Sequence, residues 1–482
     1  MRSIDEVTEL HELDATDQSA LLRSGDVSSV ELVEHHLERI GTYGELLGAF
    51  ITVTADRAIA QAEAADRRRA GGEDVPPLLG VPTAIKDLNS TAGITTTFGS
   101  VVMRDFVPQI NAYVVDLIEA AGLISLGKTN TPEFGLSSYT DNDLIGPART
   151  PWDPDRNAGG SSGGAAAAIA AGLIPFAQGS DGGGSIRIPA SACGIFGFKP
   201  SRGRVSAGPT GSDVSGLAGD GPLARSVRDA ATMLDVLAHP MPGDLRPLPE
   251  PRVHYGEWIR REPKRLRIAR WSAPYIDGIQ ADTEAVAAWE KASRLLSTLG
   301  HEVIDIADPF PPELEPQFNI IWSTGIASVP IPPEAEHLLR QNSRYWRDRG
   351  RRTTGTELMA AMQFVEATTR QVLTDLYAYD AFLTPTLAMP PQPVEWFNES
   401  GDPAEDHWRE LRFTPYTALY NMSGQPAASL PLHWTAGSHT SAGLPIGVML
   451  AGRPGEDGPL LSLCAQIEAA APWHDRWPIL PG

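Results

Sequence analysis

The segment GSDGGGSIRIPAS (179–191) sets a serine, Ser185, directly after three glycines. Glycine adopts either sign of φ without steric penalty, so this run can turn successive backbone N–H groups toward one point. The amides of Gly182, Gly183, Gly184 and Ser185 are therefore the expected oxyanion hole, a cradle for charge that develops on a carbonyl oxygen. A serine nucleophile needs a base, and no histidine is close in sequence. Lys86 ends the apolar stretch LLGVPTAIKD (78–87). A lysine desolvated in apolar surroundings loses basicity and is neutral near pH 7, so Lys86 is the expected base. Upstream, AGGSSGGAAAA (158–168) places Ser161 and Ser162 between two glycine pairs at the start of an alanine-rich helix. Serine, lysine and glycine amides in this combination point to acyl transfer.

Three familiar motifs are present in letters but not in mechanics. GLISLGKT (122–129) satisfies the phosphate-loop pattern, yet its four intervening residues favour a strand rather than a flexible turn. SLGK (125–128) matches the S-x-x-K of β-lactam enzymes, but its serine lies on that same strand instead of a helix start. GGSSG (159–163) matches the nucleophile elbow of α/β hydrolases, but the preceding TPWDPDRNA is a loop. Histidines follow it (His239, His433, His439), none in an informative context.

The elements that must hold these residues alternate between helix and buried strand. The sequence predicts a strand over 79–88, a helix over 111–121, a strand over 122–130, a helix over 163–171 stopped by Gly172, and a strand in IPFAQGSD. Beyond a proline-rich connection near 240 come strands in LRIARW and HEVIDI, a helix over 282–299, helices through 378, and a strand in AFLTP. This is an α/β pattern with a mostly parallel or mixed sheet. Ser28 and Glu31 have capping-box spacing ahead of a helix with Val30, Val33, Leu37 and Ile40 on one face. His35 and His36 lie on that helix and read as a polar face and its flank. The basic stretch 344–352 reads as a solvated helix end.

Composition narrows the partners. The chain has 482 residues, 42% hydrophobic and 21% charged, with a net charge of −21. That charge disfavours nucleic acid or an anionic membrane as a partner. Two cysteines allow at most one bridge and no cysteine zinc site. The acidic, polar N-terminal stretch does not read as a signal peptide, and a cytoplasmic protein is expected.

The stretch GGSSGGAAAAIAAGLIPFAQGSDGGGSIRIPASACGIFGFKPSRGRVS resembles the amidase signature, with 24 residues from Ser161 to Ser185. LLGVPTAIKD, AAGLISLGKTNTPEFG, LYNMSGQPAASLP and GLPIGVMLAGRPGEDGPLL resemble further blocks of that family. The nearest flavour is bacterial amidases such as the cyclic amide-oligomer hydrolases and aryl-amide and urethane hydrolases. The resemblance implies one large α/β domain over 1–482, with a central mixed, twisted sheet flanked by helices on both faces. Its signature core would span 66–235, and 245–410 would be a variable segment shaping the pocket. It implies a catalytic triad of Lys86, Ser161 and Ser185, with a cis peptide joining Gly160 to Ser161. Ser162, Asp181 and Arg187 would give support, and no metal or cofactor is needed.

The expected substrate is a small amide, apolar or aryl, with carbamate or ester cleavage by the same chemistry, in a monomer or homodimer. Phe134, Leu136 and Arg204 are the expected pocket residues. Gly182 stands where the family commonly carries a side chain, which would loosen the loop or make room for a bulky acyl group. The alternatives are a glutaminase-type subunit of an amidotransferase and a catalytically dead scaffold.

Overall fold

The structure, a computed structural model, describes residues 9–209, 211, 214–436 and 443–480, so His439 lies outside the described residues. Three strands form a small sheet: β1 (Phe50–Val53), β2 (Pro82–Lys86) and β3 (Ile124–Thr129), in the order β1-β3-β2. Eight more form the large sheet: β4 (Phe176–Asp181), β5 (Phe196–Lys199), β6 (Gly219–Ala224), β7 (Arg267–Arg270), β8 (Glu302–Asp305), β9 (Ala381–Pro385), β10 (Ala427–Trp434) and β11 (Pro445–Gly452). Their order is β4-β6-β5-β10-β11-β9-β7-β8. Pairing is antiparallel from β4 through β9 and parallel from β9 to β8, so the sheet is mixed.

Strand alternation distributes the helices over two faces. On β10 and β11, Ala428, Leu430, Ile446, Val448 and Leu450 pack with the helices Val227–Leu237, Thr283–Thr298 and Asp457–Ala470. Ala427, Met449 and Ala451, one residue out of step, face the other way against Tyr416 and Tyr420. On that second side Ser191, from the short helix Arg187–Cys193, accepts the Gly447 N–H at 2.8 Å.

The two sheets meet where the chemistry-bearing residues lie. β2 runs beside β4: Thr83 Oγ1 donates to Phe176 O at 3.2 Å, and the Lys86 N–H donates to Gln178 Oε1 at 3.0 Å. The helix Gly163–Ala170 is buried along its whole length. It packs on Ala84, Ile124 and Leu126 of the small sheet and on Ala177 and Leu223 of the large one. Alanine and glycine are what permit this close approach. A Cβ on Gly164 would lie 2.4 Å from Asn130 N and 2.5 Å from Ala49 O.

Most predicted elements appear, shortened at their ends as terminal turns fray. The Ser28–Glu31 capping box is formed, and Gly172 stops its helix at φ +69°. GLISLGKT is strand β3, and its Lys128 is buried against Asp87 at 3.2 Å, which removes any phosphate-loop role. Two expectations change. Within 344–352 Arg347 is not solvated: it is buried, donates to Ile326 O and Val329 O, and pairs with Glu336, because a neighbouring helix end supplies the acceptors. His36 is a core residue rather than a helix flank, within hydrogen-bond reach of Gln18 and Leu173 O. Cys193 and Cys464 are free and buried, so the one possible bridge is not made. Among the described residues no helix is long and apolar enough to cross a membrane.

Gly164→Ala should lower the unfolding free energy by about 1–3 kcal/mol, since its Cβ meets backbone that cannot move aside. Gly41→Ala, in the exposed interior of the helix Ser29–Leu47 with nothing near its added Cβ, should instead raise it by about 0.5–1 kcal/mol. Denaturant titration of the two variants against wild type checks the contrast.

Candidate active site

Lys86 sits at the last position of β2, every residue of which is buried. Its ammonium nitrogen, Nζ, lies 2.6 Å from Ser161 Oγ, 2.9 Å from Ser162 Oγ and 2.9 Å from Ser180 Oγ. Burial pushes its pKa down to about 7, while the Asp220 and Asp181 carboxylates pull the other way. Asp220 pairs with Ser180 across β4 and β6 and accepts from Asn89 Nδ2 and Gln178 Nε2. The lysine is thus surrounded by hydroxyls, not by a contacting carboxylate, which is why desolvation prevails.

Ser161 is held by a closely tied loop. Asn157 Oδ1 accepts from Gly159 N at 2.8 Å, and Ser138 O accepts from Gly160 N at 2.7 Å. Thr140 Oγ1 bonds Gly160 O and accepts from Gly163 N. Gly159 and Gly160 take positive φ, +74° and +45°, and a Cβ on Gly160 would lie 2.4 Å from Pro189 Cδ. The expected cis bond between Gly160 and Ser161 is absent. The cis peptide among the described residues is Gly208–Pro209. Two consecutive left-handed glycines lead into Ser161, whose hydroxyl reaches Lys86.

Ser185 lies between β4 and the helix Arg187–Cys193, and its carbonyl accepts from Ser162 N at 3.2 Å. Its loop is braced from below. Arg187 grips Asp181 with two bonds, Nε to Oδ2 at 2.9 Å and Nη2 to Oδ1 at 2.8 Å. Burial alone would raise the Asp181 pKa, but the Arg187 guanidinium outweighs it and holds the carboxyl well below the usual range. Asn421 closes the brace, donating to Asp181 and accepting from Arg187. Asp181 also takes the N–H of Gly184 at 2.8 Å and of Ile186 at 3.1 Å. The expected four-amide cradle is therefore smaller: Gly184 is committed to a buried carboxylate that needs donors. The amides of Gly182, Gly183 and Ser185 have no partner among the described residues. Thr417 Oγ1 also fixes the loop by donating to Gly183 O at 2.6 Å.

A cavity partly open to solvent borders Ser185 and Gly183. Leu136 lines it as expected from the sequence. Phe134, in left-handed backbone at φ +53°, does not; it packs behind Leu136 with Trp346 and Ile326. Arg204 does not line it either: it pairs with Asp457 at 3.4 Å and donates to Pro249 O, which fixes it elsewhere. Gly182 leaves neither a loose loop nor an empty space. The Trp322 indole occupies the place, 2.9 Å from where a Cβ would sit. Phe318 stacks on Trp322 and lies the same way over Gly183.

Sequence reasoning missed Ser180, Asn421, Thr417 and the aromatic pair. Ser180 stands in the quoted GSD, and the helical spacing of Phe318 and Trp322 was a usable signal. Asn421 and Thr417 become neighbours only through the fold. Elsewhere Glu9, His11 and His35 come together, with His11 Nδ1 3.3 Å from His35 Nε2. The facing nitrogens are within hydrogen-bond reach, with the ring planes 17° apart and the centroids 5.4 Å apart.

Comparison with known proteins gives the family. The Amidase family model matches residues 31–461. An acylamidase of Rhodococcus erythropolis is 35% identical, over 97% of this chain and 98% of its own length. The A chain of the glutamyl-tRNA(Gln) amidotransferase of Roseiflexus sp. (strain RS-1) is 34% identical, over 98% of this chain and all of its own. A solved structure of 6-aminohexanoate cyclic dimer hydrolase complexed with substrate superimposes with a TM-score of 0.89 at 31% identity, covering 98% of this chain and 99% of that one. The chain belongs to the amidase family of hydrolases acting on amide C–N bonds.

Proposed function

We propose that amide hydrolysis runs here through an acyl-enzyme on Ser185, with Ser161 and Lys86 as the proton relay. The observation that carries this is the 2.6 Å contact between Ser161 Oγ and a lysine nitrogen whose pKa burial brings to about 7. Neutral Lys86 accepts the Ser161 proton, and Ser161 accepts that of Ser185. The Ser185 oxygen then adds to the amide carbonyl carbon. The amides of Gly182, Gly183 and Ser185 receive the oxyanion, where one such donor typically contributes about 2.7–4 kcal/mol. Ser161 returns a proton to the leaving nitrogen, since an amine leaves poorly as an anion. Water then cleaves the ester by the same relay in reverse, with no metal-dependent step. Ser162 and Ser180 hold the lysine nitrogen, and the Asp181–Arg187–Asn421 brace holds the nucleophile's loop.

The walls favour an apolar or aryl amide, with carbamate or ester cleavage by the same acyl chemistry. Leu136, Phe318, Trp322 and Trp346 line the cavity. The glutaminase reading, kept in view by the amidotransferase relative, is disfavoured by charge. Among the described residues no Lys or Arg lines the cavity to meet the α-carboxylate of glutamine.

Amine release should be measured from an aliphatic primary amide, an aryl anilide, an aryl carbamate and glutamine. The anilide should be the best substrate, and Ser185→Ala should lower its turnover by about 10⁴-fold or more. Release that survives Ser185→Ala would assign the nucleophile elsewhere, and glutamine as the best substrate would favour the glutaminase reading.

The base also fixes a pH dependence. Lys86 is protonated and idle below its pKa, so kcat/KM should rise with pH through about 7 and level above it. Asp220→Asn removes the first of the carboxylates that favour the ammonium form, so the rising limb should move to lower pH. Lys86→Arg, with no neutral form available, should be inactive throughout. A limb unmoved by Asp220→Asn would detach it from Lys86.

A further inference from the structure

The helix Leu314–Ala327 presents Glu315, Phe318, Asn319 and Trp322 to the cavity, the i, i+3, i+4, i+7 spacing of one helical face. Trp322 sits on Gly182 and Phe318 on Gly183, so this face runs away from the oxyanion loop. Glu315 is seven residues from Trp322, about 10 Å along the axis. There the lining turns polar. Asn319 Nδ2 donates to Glu315 and lies 3.3 Å from His407 Nε2, which is itself 3.6 Å from Glu315 Oε1. Asn319 Oδ1 is buried and has no hydrogen-bond partner, on a side chain only 3% exposed. Glu410 also lines the cavity. Its Oε2 accepts from Ser138 N at 2.7 Å and Ser138 Oγ at 2.8 Å, and its Oε1 takes no protein hydrogen bond among the described residues.

We infer that this polar edge is a subsite for a protonated amine, and that the preferred substrate is an amide carrying an ammonium group spaced from the scissile carbonyl by a flexible chain. This rests on the amide-hydrolase reading above and names the substrate class of the same site. Glu315, Glu410 and an orphaned carbonyl oxygen offer acceptors, and an ammonium is a donor with nothing to accept; burial raises the pKa of the Glu410 carboxyl, and a bound cation would favour its ionised form. The aromatic faces of Phe318, Trp322 and Trp346 suit the spacer and tolerate the cation, since ring faces attract positive charge. An anion has no partner here, and a purely apolar chain would leave Asn319 Oδ1 without one, a cost that buried polar groups impose on the wrong ligand. His407, the one other titratable group on the cavity wall besides Tyr275, is engaged by Asn319 and Glu315 and its ring meets Trp346 edge-on, so a bound ammonium would share Glu315 with it.

The test uses two series of anilides and amides with increasing spacer length, each member paired with an isostere in which methyl replaces ammonium. One series carries the cation on the acyl chain and the other on the leaving amine. In one series kcat/KM should favour the ammonium member by roughly 10- to 100-fold at the best length, as expected for hydrogen bonds to a charged group. Glu315→Gln, which keeps the acceptor for Asn319, should shrink that ratio toward one, and Glu315→Asp should restore part of it. Equal turnover, or preference for methyl in both series, overturns the subsite; Ser185-dependent cleavage of the methyl members would still leave the hydrolase reading standing. If no member of either series is cleaved, calorimetry on Ser185→Ala protein decides. Glu315-dependent binding of n-hexylammonium over 1-hexanol supports the subsite, and its absence overturns it.

Discussion

The site depends on one constraint: an ammonium-capable nitrogen held in a place where water does not reach it and no carboxylate touches it. Lys86 meets three serine hydroxyls and a backbone carbonyl, groups that satisfy its hydrogen bonds without compensating its charge. The nearest favourable charges, on Asp220 and Asp181, act through intervening groups and only partly offset desolvation. A direct ion pair would keep the lysine protonated and useless as a base. The contrast is one residue and one strand away. Lys128 on β3 is equally buried but pairs with Asp87 and serves the fold, not the chemistry.

That constraint explains the architecture around it. Lys86 ends a strand of one sheet, Ser180 nearly ends a strand of another, and Ser161 and Ser162 begin a helix wedged between the two. A helix of small residues is the element able to pass so close to both sheets, and its first residues then reach both strand ends. The hydroxyl relay requires the sheets to be fixed to within a hydrogen-bond length. Buried glycines and alanines fix them better than larger side chains would, because backbone meets backbone with no rotamer to relax.

The sequence showed the parts of this site that local backbone chemistry demands. Ser161 and Ser185 announce themselves because each needs glycines around it, and Lys86 because a lysine at the end of an apolar strand is out of place. The strands β7, β8 and β9 were legible from their apolar runs. β6 was not, since GDGPLA has glycines and a proline where a strand prefers branched residues, and only its neighbours β4 and β5 make it one. Asp220 lies on that illegible strand, so its influence on Lys86 was invisible too. Asn421 joins Asp181 across 240 positions of chain, and Arg204 finds Asp457 across 253. Pairings of that range arise from topology and leave no mark in spacing. The cis bond expected between Gly160 and Ser161 came from the family resemblance rather than from the residues, and the structure does not have it.

The cavity wall is joined to the machinery differently. The nucleophile's loop is held by bonds that all approach from one side: Arg187, Asn421 and Thr417 secure Asp181, Gly183 and the helix that follows. Against its other side the helix Leu314–Ala327 rests through the rings of Phe318 and Trp322, with van der Waals contact in place of hydrogen bonds. The glycine at 182 and the indole at 322 are therefore one device split between distant segments. The loop gives up a side chain, and the helix fills the volume with a ring that is also the cavity wall. A Cβ at 182 would push that ring, and with it the helix bearing Glu315 and Asn319, away from the carbonyl to be cleaved. On the proposed reading, recognition is thereby tied in position to the oxyanion loop, while the relay would be anchored separately, by Lys86 between the sheets.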